Sequence, residues 1–147
     1  MSTGLIANPS WEMTRARLCQ REPGFYELEP GGALALDLDE EGWLLEVTPE
    51  ERLICQTGVA MEDVKTLLSD GTCEDLGMDE LAKQAKGYLN RTVSKYRRSL
   101  AGAGFEERAE MNEEHVAVLF QRQVDFRNID EVLRLIRWCV AQFAPRL

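Results

Sequence analysis

Apolar and polar side chains alternate with a period of two across residues 33–57, the signature of half-buried strands. In Ala33 to Leu38, Leu34, Leu36 and Leu38 point one way, and Ala35 and Asp37 the other. Asp39-Glu40-Glu41-Gly42 reads as a hairpin loop, with Gly42 free to take a positive φ. Trp43 to Val47 returns with Trp43, Leu45 and Val47 on one face. Thr48-Pro49-Glu50-Glu51 turns the chain again, and Arg52 to Thr57 is the third strand of a meander.

Beyond the meander the period lengthens to that of a helix. Leu81, Ala85, Leu89, Val93, Tyr96 and Leu100 recur at spacings of three and four, which predicts a long helix over 79–100, closed by Gly102 and Gly104. Phe105 to Met111 and His115 to Gln123 read as two strands joined at Asn112-Glu113; the second is apolar on both sides from Val116 to Phe120, as in a strand covered on both faces. The closing helix starts at Asn128, with Glu131 in a capping-box-like position, and runs Ile129, Val132, Leu133, Ile136, Val140 and Phe143 along one face until Pro145. Leu135, Trp138 and Cys139 fall outside that face. Ser10 caps a short helix, Trp11 to Gln20, ended by Pro23-Gly24. Met61 to Leu68 fits another short helix, followed by a loop that holds Cys73. The expected order is α-β-β-β-(α)-α-β-β-α: an α+β fold with an antiparallel sheet, a three-strand meander plus a two-strand hairpin, packed with helices. Residues 1–9 are expected to be a flexible tail, and residues 10–147 one domain.

Composition narrows the class of function. With 147 residues, 44% of them hydrophobic, the chain can fill a core without metal or disulfide support. A net charge of −9 disfavours phosphate backbones and anionic membrane surfaces, so neither a nucleic-acid partner nor membrane insertion is expected. The basic helix surface of Lys83, Lys86, Arg91, Lys95, Arg97 and Arg98 has no interleaved aromatic on which bases could stack, and reads as balance for neighbouring acids. The start of the chain lacks a basic region followed by an apolar run, and no stretch is long enough to span a bilayer. Cys19, Cys55, Cys73 and Cys139 lack ligand spacing and read as reduced thiols of a cytoplasmic protein.

Candidate chemistry is sparse. His115, the sole histidine, opens a strand beside Glu113 and Glu114 and reads as a surface residue. Gly31-Gly32 and Gly102-Ala103-Gly104 both precede strands, against the strand-to-helix order of a phosphate loop. The carboxylates of Asp37, Asp39, Glu40 and Glu41 sit at a hairpin and do not follow a calcium-loop pattern; Glu106-Glu107 and Glu113-Glu114 read as solvated strand edges. No catalytic residue, metal or cofactor is expected, and the chain is read as a non-enzyme.

What remains is apolar surplus. Leu135 and Trp138 extend the last helix's apolar arc beyond one core contact, and aromatics on such margins often anchor partners. The order from Ser10 to Phe143 resembles the type III secretion chaperones, the Tir-chaperone-like family. The likeness rests on Ala33-Leu34-Ala35-Leu36-Asp37-Leu38-Asp39, on Gly42-Trp43-Leu44-Leu45-Glu46-Val47, on Leu53-Ile54-Cys55 and on the closing helix. The resemblance implies a chaperone-like cytoplasmic homodimer that holds a non-globular segment of a secreted effector as its protein client. It implies a dimer contact at Leu89, Val93, Tyr96 and Phe105, and a client surface at Trp11, Leu34, Leu36, Trp43 and Leu45. The rival reading is an adaptor, immunity-type or regulatory α+β domain of another family.

Overall fold

A computed structural model describes residues 10–39, 42–63, 78–112 and 114–143. The expected tail, the hairpin-tip residues Glu40 and Glu41, the 64–77 stretch with Cys73, Glu113 and Pro145 lie outside the described residues. The fold is α+β with an antiparallel open sheet. Its elements are α1 (Trp11–Arg21), β1 (Tyr26–Glu27), β2 (Leu34–Asp37), β3 (Leu44–Thr48), β4 (Arg52–Ala60), α2 (Met78–Gly102), β5 (Glu106–Met111), β6 (His115–Gln123), a 3-10 turn (Phe126–Asn128) and α3 (Ile129–Phe143). Hydrogen-bonding order across the six strands is β1-β2-β3-β4-β6-β5. The chain divides into two compact units, Met1–Cys55 with Arg122–Leu147, and Gln56–Gln121.

In the first unit the β2–β3 register pairs Leu34 with Val47 and Leu36 with Leu45, and Leu38 N–H donates to Trp43 O at 2.9 Å. Paired residues share a face in an antiparallel ladder, so these six side chains form one continuous stripe, and all six are buried. The helix α3 contributes to its cover: the Trp43 and Phe143 rings lie 4.7 Å apart, centroid to centroid. Gly42 closes the hairpin at φ 103, as its freedom from a Cβ allows. Val132, Leu133, Ile136, Cys139 and Phe143 are the buried residues of α3. Cys139 therefore belongs to the core face, contrary to the sequence reading; at about 100° per residue it sits only about 20° from Val132.

α1 is capped as expected, the Ser10 side chain accepting from Met13 N–H. The entry to α3 differs from the expected capping box. Asn128 lies in the 3-10 turn and its side-chain Nδ2–H donates to Glu131 Oε2 at 2.6 Å, while Asp125 caps the turn by accepting from Arg127 N–H.

The second unit is built on α2, β5 and the bulk of β6. Ala85, Leu89, Val93 and Leu100 are buried along one side of α2. The helix ends in a Schellman motif: Phe105 N–H bonds Leu100 O, Gly104 N–H bonds Ala101 O, and Gly104 takes φ 91. Leu100 and Phe105, the positions whose apolar contact accompanies that motif, are both buried. Close backbone approach marks Gly58 of β4, where a Cβ would meet Val116 O at 3.0 Å.

Candidate functional site

Burial redraws the surface expected from sequence. Leu34, Leu36, Trp43 and Leu45 are core residues of the first unit and cannot meet a client without unfolding it. The reason is the register: two short apolar stripes merge into one broad face, which the chain's own residues fill. Leu89, Val93 and Phe105 are likewise buried within one chain, so they hold the second unit together and do not present a dimer surface. Tyr96 is half-buried. Trp11, half-buried, stacks on Phe126 at 5.8 Å and donates its Nε1–H to Gly31 O, which anchors it in place. Leu135 and Trp138 are half-buried on α3.

Leu135 helps line a cleft of about 700 Å³ whose polar lining includes Glu51, Arg122, Asp125, Arg127, Glu131 and Arg134. Its charges balance. Asp125 and Arg127 are joined by a 2.9 Å ion pair, and the Arg127 side chain, helped by its backbone N–H, holds the Asp125 carboxyl below the ordinary range. Glu51 holds the left-handed backbone, φ 63, which L-residues adopt at a cost of about 1–2 kcal/mol. It ties the β3–β4 turn to the segment after β6, since its carbonyl accepts from Val124 N–H at 2.8 Å and its carboxylate from Phe126 N–H at 3.2 Å. Both contacts are structural, and the cleft's best-defined charged groups are already engaged.

Two of the thiols are equally committed. Cys55 and Cys139 are free and fully buried. The hydrogen bond between them, with burial second, pushes the Cys55 thiol up, away from the reactive thiolate. Among the described residues no group of three or more His, Cys, Asp or Glu could hold a metal ion. No helix among them is long and apolar enough to cross a membrane.

The unsatisfied surface is β5. It is the last strand of the sheet, and all six of its residues are exposed. Its register against β6 pairs Glu107 with Phe120, Ala109 with Val118, and Met111 with Val116. Phe120, Val118 and Val116 are buried, so the face that forms the core at β6 runs outward to Ala109 and to Met111, which is 51% exposed. α2 lies over this face: Arg97 grips Glu107 through Nε and Nη2 at 2.7 and 3.0 Å.

Backbone parity follows from one bond. Asn112 N–H donates to His115 O at 2.9 Å, and antiparallel pairs alternate between bonded and non-bonded. Glu106, Arg108 and Glu110 therefore turn their N–H and C=O groups toward β6. Those of Glu107, Ala109 and Met111 face away from the sheet, and no described residue bonds them. An edge of this kind is a template for another strand. Sequence reading found the strand and its solvated glutamates but not its edge position, which depends on the pairing of distant segments.

No family model, no curated protein and no solved structure matches this chain.

Proposed function

We propose that this protein works by binding an extended polypeptide along the free edge of β5, without catalysis. The observation that carries the reading is the outward row of N–H and C=O groups at Glu107, Ala109 and Met111, on a terminal strand exposed throughout. Strand addition satisfies those groups, and the alternate side chains of the incoming segment supply specificity. The resemblance to secretion chaperones supports the same mode, in which the partner is a non-globular segment of a secreted protein and release needs no ATP. An adaptor or regulatory domain would use the same edge for a different partner.

Ala109→Pro tests this. The Ala109 N–H points outward, so proline removes an edge donor without removing a bond to β6. The variant should keep its far-ultraviolet circular dichroism and stay folded. In complexes isolated under native conditions it should lose the polypeptide, self or other, that the wild-type chain retains. Retention by a folded variant would contradict the proposal.

A further inference from the structure

We infer that the solvent face of α2 is a docking surface for a short acidic segment of another polypeptide. It is separate from the outward backbone groups of β5, and its occupation does not depend on theirs. From Lys83 to Gly102 the helix carries six cations, Lys83, Lys86, Arg91, Lys95, Arg97 and Arg98, and no carboxylate. The sequence reading, in which neighbouring acids balance these charges, holds only for Arg97, which grips Glu107. The other five form no ion pair with a described residue. Glu80, one turn before Lys83, accepts from Gln84 instead, at 3.2 Å. In a chain of net charge −9 this run is a local reversal of sign.

The helix aligns these cations. At about 100° per residue, Lys83, Arg91, Lys95 and Arg98 fall within an arc of about 120°, and Arg98 stands opposite Leu89 of the buried stripe. All four are exposed. Lys95 Nζ rests 5.5 Å from the centroid of the Tyr96 ring, which holds the ammonium in place without a counter-charge. Gly87 falls inside the same arc, in the helix interior, where glycine costs about 1 kcal/mol relative to alanine. A Cβ there would meet nothing within 4 Å, so the chain's own packing does not call for glycine. A partner lying along the arc does, because the missing side chain lets its backbone approach between Lys83 and Arg91. Tyr88, 44% exposed, borders the arc beside Lys95 and offers an apolar contact.

Length decides between acidic partners. Lys83 and Arg98 lie about 22 Å apart along the axis, which an extended segment covers in about seven residues. A short acidic segment ends where the cations end. A nucleic acid carries its charge onward over a chain whose other residues are strongly acidic in sum, and Tyr88 by itself gives its bases no stacking row.

The test uses the full-length chain and a fluorescein-labelled synthetic peptide of about eight residues, glutamates around a central leucine. Anisotropy at about 50 mM salt should show binding that weakens as salt rises to about 150 mM. The same peptide with glutamine in place of glutamate should bind roughly tenfold more weakly or worse. Arg91→Glu combined with Arg98→Glu should also weaken binding roughly tenfold, since attraction becomes repulsion at two positions. Both positions are exposed, so this variant should melt close to wild type. Gly87→Gln should weaken binding several-fold while its melting temperature holds or rises, which a glycine required by the fold would not allow. Equal binding of the two peptides, or binding indifferent to the reversals, overturns the inference. So does tighter binding of a single-stranded oligonucleotide of equal charge. Self-association that the reversals abolish in the absence of peptide would give the face to a second copy and overturn it as well.

Discussion

Glu46 shows how a single residue can work against the fold. It stands on β3 opposite Ala35, itself fully buried, and is only half exposed. Burial, with Glu50 adding repulsion, raises its carboxyl above the ordinary range. At low pH both the folded and unfolded chains hold the proton and Glu46 costs nothing. As the pH rises past the ordinary glutamate value, the unfolded chain ionises more readily than the folded one, and stability is lost. Glu46→Gln should therefore raise the melting temperature at pH 7, and the gain should vanish toward about pH 3. A gain that persists at the acidic end would mean that packing, and not charge, is responsible. Glu51 is a contrasting case: its left-handed backbone carries strain that its two hydrogen bonds offset.

At the level of elements, strands and helices with a clear period were legible, as were the hairpin pairings of β2 with β3 and of β5 with β6, whereas pairing between segments distant in sequence was not. His115–Gln123 has the bounds that its pattern gives, and α2 overruns its expected 79–100 span by a few residues at its ends. β1 is two residues long, too short for any alternation to register. β4 runs three residues past Thr57, because Gly58 looks like a strand end in sequence, yet here it admits the close approach of Val116 O. Periodicity also cannot say what covers an apolar stripe. Leu89 has the spacing of a contact residue, and whether the contact lies within the chain or between chains is decided only by the packing of α2. It is 1% exposed, so Leu89→Ala should lower unfolding stability by about 2–5 kcal/mol, measured by denaturant titration. A well-folded variant of near wild-type stability that fails to self-associate would return Leu89 to the interface.

Across the whole molecule, the two terminal strands of the sheet are managed differently. β1 offers little to a passing chain because it is so short. β5 is three times as long and carries Glu106, Glu107, Arg108 and Glu110. Charged edges ordinarily discourage indiscriminate pairing.

The most direct test of strand addition is amide hydrogen exchange, resolved by residue, on the protein at working concentration. Glu107, Ala109 and Met111 should exchange orders of magnitude more slowly than solvent-open amides, and dilution or Ala109→Pro should abolish that protection at the two amides that remain. Exchange at the open-chain rate for all three, under conditions where Arg108 and Glu110 stay protected by β6, would show the edge to be empty and contradict the account.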